Sequence, residues 1–226
     1  MLGLQYTNFF MVYRSVLMYA ATSIVLSGIS LWISDVSESF VLGEGGKWLA
    51  IRFIMLLMML PILELSKIEA KSGYDKYVLT LPVRRSTIVQ SYYLFYFLFI
   101  TIGVILSYGV VYIYTLLFQL PFNSNNVVEL IAVDAVALLL AGAIVFPLLY
   151  NYGVEKSDVI IIAGVFGSFI SINNVSEIHY LLERPPLSNL NLNLSIYLPF
   201  LLLLVGILLF ILSSLISLCI YRKKEF

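Results

Sequence analysis

The chain has 226 residues, 61% of them hydrophobic and 12% charged, and its mean hydropathy is +1.00. A water-soluble domain of that size needs far more polar surface to cover its core, so the composition fits a protein dissolved in a bilayer. Lys and Arg number 13 and so do Asp and Glu, which excludes the basic surplus of a nucleic-acid binder, and the single Cys219 excludes an internal disulfide or a thiolate metal cluster.

The segment before Arg14 carries Leu2, Leu4, Tyr6, Phe9, Phe10 and Tyr13 among polar residues. It has no basic start, and no small-residue cleavage site follows the next apolar run, so it does not read as a cleavable signal. Two readings stay open for it: an amphipathic helix on the inner interface, or a downward extension of the first span. A helix needs about 20 apolar residues to cross the hydrocarbon core. Six stretches meet or approach that length: 15–33, 48–65, 91–118, 127–150, 158–172 and 196–221. The third is long enough to tilt, and the fifth is short. None shows the two-residue alternation of a barrel strand. The fold class expected is therefore all-α and integral to the membrane, with residues 1–226 forming one transmembrane domain.

Between the first two spans, 34–47 reads as an outer loop with Asp35, Glu38 and Glu44. Its Gly43-Glu44-Gly45-Gly46-Lys47 resembles a phosphate loop only superficially, because the first glycine is replaced by Val41 and Trp48 follows the lysine where Ser or Thr is required. No nucleotide, cofactor, metal or catalytic site is expected in the chain. Arg52 lies four residues into the second span and Asp134 seven into the fourth, at similar depths near the outer side. Intramembrane charges are costly unless paired or turned to a cavity, so Arg52 and Asp134 are a candidate ion pair; the alternative is that they snorkel to the interface. Glu64, at the inner end of the second span, is expected to face Lys67 and water.

The loop 66–90 is long and densely charged. Ser72 can cap a helix, with Asp75 three residues on as a weak capping box. Tyr74, Tyr77, Val78 and Leu81 then recur at i, i+3, i+4 and i+7 as one apolar face, and Pro82 stops the helix. The spacing predicts a short amphipathic helix across the inner membrane surface. Leu79 falls on its polar face, where it is either an isolated exposed side chain or an anchor for a partner's groove. With the N-terminus inside, the basic residues divide ten to three: Arg14, Lys67, Lys71, Lys76, Arg84, Arg85, Lys156, Arg222, Lys223 and Lys224 inside, Lys47, Arg52 and Arg184 outside. That bias predicts both termini in the cytoplasm. Ala137 and Ala141 in the fourth span, and Gly164 and Ser168 in the fifth, have the small-xxx-small spacing of close helix packing. The segment 173–195, with Glu177, His179 and Glu183, has no diagnostic metal spacing.

Two stretches carry a resemblance. The run Glu69-Ala70-Lys71-Ser72-Gly73-Tyr74-Asp75-Lys76-Tyr77, followed by Leu79-Thr80-Leu81-Pro82-Val83-Arg84-Arg85, resembles the cytoplasmic signature of bacterial type-2 ATP-binding-cassette exporter permeases. So does Pro147-Leu148-Leu149-Tyr150-Asn151-Tyr152-Gly153-Val154-Glu155-Lys156, although that family often has a basic residue where Asn151 stands and a small-residue–Arg pair where Ser157-Asp158 stands. Within the class, the chain is similar to the small permeases of staphylococcal exporters of phenol-soluble modulins, which are amphipathic peptides.

The resemblance implies a multi-pass permease of a bacterial cell membrane, surrounded by lipid and paired with a second permease subunit in a homo- or heterodimer. It implies that ATP and Mg are bound by a separate cytoplasmic ATP-binding-cassette ATPase. Tyr74, Asp75, Lys76, Tyr77 and Leu79 would belong to the coupling helix that sits in that ATPase. Arg84 and Arg85 would meet headgroups or acidic ATPase residues, and Glu155 and Lys156 would make a smaller second contact. The outer segment 173–195 would be a cap of short re-entrant helices. From the spans alone, two other classes stay open: an intramembrane hydrolase, for which no Gly-x-Ser-x-Gly run is present, and a channel, secondary carrier or immunity protein not linked to ATP.

Overall fold

The computed structural model describes residues 2–36, 40–72, 85–119, 124–153, 156–173 and 194–223. They form helices α1 (Leu2–Val36), α2 (Phe40–Ser72), α3 (Arg85–Leu117), α4 (Ser124–Tyr152), α5 (Ser157–Asn173) and α6 (Leu194–Lys223), with no strand among the described residues. Helices are what such apolar runs must become in lipid, where no water is present to satisfy backbone N–H and C=O groups. Five of them contain stretches long and apolar enough to cross a bilayer, at 5–34, 46–69, 86–117, 126–152 and 199–223. The fifth expected span falls on α5, which has 17 residues. At about 1.5 Å per residue it is roughly 26 Å long, a little short of a hydrocarbon core of about 30 Å.

The helices run past the apolar windows. The segment before Arg14 is continuous with the first span inside α1. The expected outer loop 34–47 shrinks, because α1 continues to Val36 and α2 already starts at Phe40. Hydropathy marks where a helix meets lipid, not where its hydrogen bonds end. Ser72 is the last residue of α2, and its hydroxyl donates back to the Glu69 carbonyl at 3.0 Å; the short amphipathic helix expected beyond it lies outside the described residues.

In lipid, apolar burial gives no drive for one helix to choose another, so close packing and interhelical hydrogen bonds decide the arrangement. α1 lies on α2 through buried Ser23, Ser27 and Leu31, and Ser34 abuts Gly46 of α2. The hydroxyls of Ser23 and Ser27 donate to the carbonyls of Ala20 and Ile24 in their own helix, at 2.8 and 2.9 Å. The seam is therefore small in volume and presents no unbonded hydroxyl. α4 is the hub, touching α2, α3, α5 and α6. Ala137 and Ala141 are fully buried on it, and a methyl group on Gly164 of α5 would strike the Val145 side chain. On another side of α4, Gly142 lets the rings of Tyr96 and Phe210 close over its backbone, and a methyl there would collide with Tyr96. Tyr96, Phe146 and Phe210 join α3, α4 and α6 in one aromatic cluster, with ring centroids 5.2 and 5.7 Å from Tyr96. Gly153 ends α4 with φ +81°, a conformation glycine adopts without a Cβ penalty, and its N–H donates to the Leu149 carbonyl at 2.9 Å.

Candidate functional site

Among the described residues, the two ion pairs and most of the polar links between helices gather at two levels. Toward the end of the bundle where α2 and α4 begin, Arg52 Nη2 of α2 lies 3.1 Å from Asp134 Oδ1 of α4, and Arg52 Nε donates to the same oxygen at 3.3 Å. The Asp134 side chain is 1% exposed and that of Arg52 15%. Two rings flank the guanidinium: Trp48, one turn earlier on α2, at 3.8 Å from its centroid, and Phe169 of α5 at 4.6 Å. Arg52 thus ties together α2, α4 and α5. A guanidinium suits this slot, because it can donate two N–H groups to the carboxylate while its delocalised charge is attracted to the ring faces nearby. The pair lies six residues into the apolar stretch 46–69 and eight into 126–152. Those offsets correspond to about 9 and 12 Å below the starts of the two stretches.

The level toward the opposite end, where α2 and α4 finish, carries more links. Pro147, inside α4, has no N–H, so the carbonyl of Ala143 four residues earlier loses its helix donor. Ser213 Oγ of α6 donates to that carbonyl at 2.6 Å. Tyr93 Oη of α3 lies 2.9 Å from Ser213 Oγ and 2.7 Å from Ser217 Oγ. Because Ser213 spends its one proton on Ala143, Tyr93 donates to Ser213, and Ser217 then donates to Tyr93. The result is a directed chain from Ser217 through Tyr93 and Ser213 to the α4 backbone. Deeper in the bundle, Tyr96 Oη donates to the Leu138 carbonyl at 2.6 Å.

The C-terminal end of α2 is tied on three sides. The Tyr92 hydroxyl of α3 donates to the Glu69 carboxylate, and Glu69 is buried at 3% exposure. Tyr19 of α1 donates to Glu64 Oε1 at 2.8 Å. Lys67 forms an ion pair with Asp158 in the first turn of α5. This corrects the expectation that Glu64 faces Lys67: the two point to different neighbours, Glu64 toward α1 and Lys67 toward α5. A carboxylate at a helix N-terminus is favoured by the helix dipole, which gives Lys67 a well-placed partner.

Of the sequence-derived candidates, the structure brings Arg52 and Asp134 together. Arg85 is the first residue of α3, and Lys156 is exposed with its ammonium 5.9 Å from the Tyr152 ring centroid. Tyr74, Asp75, Lys76, Tyr77, Leu79, Arg84 and Glu155 lie outside the described residues, as does the segment 174–193 with Glu177, His179 and Glu183. No group of His, Cys, Asp and Glu that could hold a metal ion occurs among the described residues. Sequence reading missed the Ser217–Tyr93–Ser213 chain. Its signal was a proline inside the fourth apolar run, which frees a carbonyl, together with two serines one turn apart in the last.

A family model described as "ABC-2 family transporter protein" matches residues 3–222. No curated protein and no solved structure matches the chain. The match takes in all six described helices and both polar levels, from the first turn of α1 to the last turn of α6. The chain therefore belongs to the ABC-2 family of transporters, as a multi-pass membrane component of transport.

Proposed function

We propose that the chain is the permease subunit of an ATP-driven exporter in a bacterial cell membrane. In this reading all six helices span the bilayer, with α5 accommodated by local thinning, and both termini lie in the cytoplasm. A separate ATP-binding-cassette ATPase binds ATP and Mg and receives the loop between α2 and α3. A second permease subunit, like or unlike this one, completes the pathway. The cargo is a short amphipathic or hydrophobic peptide, of the kind exported by the staphylococcal permeases that this sequence resembles.

The observation that carries the reading is the family match across 3–222, joined to the way the inner end of α2 is wired. A push on the segment between Ser72 and Arg85 acts on α2 and α3 at once. Glu69–Tyr92 makes those two helices move together, and Lys67–Asp158 takes α5 with them. The Tyr93–Ser213 link passes the motion to α6. Polar links do this better than apolar contacts, because inside lipid a slipped apolar contact is replaced by lipid at little cost while a broken hydrogen bond strands polar groups. The ten-to-three division of basic residues supports the cytoplasmic placement of that loop.

The test is transport by inside-out membrane vesicles containing the chain and its ATPase. A fluorescent amphipathic peptide is expected to accumulate only with hydrolysable ATP, and to stop accumulating in a vesicle whose chain carries Glu69→Ala. Accumulation without ATP, driven by an ion gradient, would contradict the reading and favour a secondary carrier.

A further inference from the structure

A half-open groove of about 410 Å³ runs between α3 and α6, lined by Gln90, Tyr93, Leu94, Phe97, Ile207, Phe210, Ile211 and Ser214. That volume falls in the range of small-molecule sites, about 300–1,000 Å³. Leu94, Phe97 and Ile211 of its walls are exposed. Its hydroxyls are already spent: Ser214 Oγ donates to the Ile211 carbonyl at 2.7 Å, and the Tyr93 hydroxyl turns inward to Ser213 and Ser217. What remains along the groove is hydrocarbon, except for exposed Gln90 at one end. Helix seams in membranes favour Gly, Ala, Ser and Thr, which let backbones approach. The outward walls here are Leu, Phe and Ile, which suit a flexible chain better than another helix.

Two cationic side chains lie beyond the Gln90 end of the groove. Gln90 stands five residues after Arg85, which opens α3, so the start of α3 and the end of α6 share one end of the bundle. Arg222 follows Ile211 by 11 positions, close to three full turns, and so continues the same face of α6. Arg222 and Lys223 are exposed in the last turn of α6 and form no ion pair among the described residues. From Ser214 to Arg222 is about 12 Å along the axis, within which a phosphate at the interface leaves its acyl chain beside the groove. We infer that this groove holds an acyl chain of an anionic phospholipid whose phosphate is met by Arg222 and Lys223. Assigning that lipid to the inner leaflet rests on the cytoplasmic placement of the α6 end; the binding itself does not.

The full chain, equilibrated in micelles with equal parts of phosphatidylglycerol and phosphatidylcholine, is passed through a detergent column, and retained lipid is read by native mass spectrometry. No ATP or ATPase is present, so a failure of the exporter reading leaves this result unaffected. Wild type is expected to retain phosphatidylglycerol preferentially. Arg222→Gln with Lys223→Gln should lower that preference about fivefold per charge removed. Ile211→Trp, or Leu94→Trp from the opposite wall, should lose retention of both lipids. Equal retention of the two lipids by wild type overturns the inference, as does unchanged retention in both groove-filling variants. Conversion of a dimer to a monomer by Ile211→Trp would show that a second subunit covers this face, and would overturn it too. The comparison with the charge variant decides the matter even if a groove variant fails to fold, since Arg222 and Lys223 lie outside the packed core.

Discussion

Arg52 lies in a slot between the Asp134 carboxylate and the rings of Trp48 and Phe169. The two members of the pair are not equally replaceable. Arg52 has a long side chain that reaches the interface when its partner is lost, whereas Asp134 is short and almost fully enclosed. Arg52→Met is therefore expected to destabilise the protein by about 3–5 kcal/mol, the cost of stranding a buried charge. Asp134→Leu should cost less, and the double variant should recover much of the loss from Arg52→Met, because it removes both desolvated groups. Thermal unfolding in detergent micelles checks this. If the two single losses simply add in the double variant, or if Arg52→Gln and Asp134→Asn each leave stability and transport intact, the pair is not a structural tie. Arg52→Lys tests the rings separately: it keeps the charge but gives up the delocalised guanidinium, so it should fall between wild type and Arg52→Met.

At the scale of the helix, the proline of α4 and the serine of α6 form one unit. Ser213→Ala leaves the Ala143 carbonyl without its donor and should cost about 1 kcal/mol, read as a lowered Tm. Pro147→Ala supplies an N–H to the same carbonyl from within α4. Ser213→Ala should then cost clearly less in the Pro147→Ala background than in wild type, and equal costs in both backgrounds would contradict the account. The helices themselves were largely legible in sequence, because an apolar run of sufficient length in lipid has little choice but to be helical. Their ends were not. Phe40 to Lys47 reads as polar loop on hydropathy, yet the backbone stays helical through it. The Arg52–Asp134 pair was legible because each charge is conspicuous in an apolar stretch and the two lie at similar depth. The ties of Glu64 and Lys67 were not, since two residues one turn apart on α2 look like partners until α1 and α5 are seen to offer better ones. Ser213, Ser217 and Tyr93 were hidden for a related reason: their meaning depends on which faces of α3, α4 and α6 meet, and such weakly amphipathic helices do not announce their faces.

For the whole molecule, the two polar levels differ in kind. The level toward the start of α2 is one ion pair with two rings beside it, holding α2, α4 and α5 together. The level toward the end of α2 is distributed over hydrogen bonds and a second ion pair that include every described helix. A bundle fastened firmly at one end and linked through many small contacts at the other is suited to receive force at the second. That end bears the loop between α2 and α3, and the central claim is that a separate ATPase acts there. Co-purification of a tagged chain with its ATPase from detergent-solubilised membranes tests it most directly. Wild type is expected to bring the ATPase down, and Tyr77→Asp combined with Leu79→Asp is expected to lose it while the chain itself still reaches the membrane. A membrane-inserted double variant that retains the ATPase in full would contradict the account.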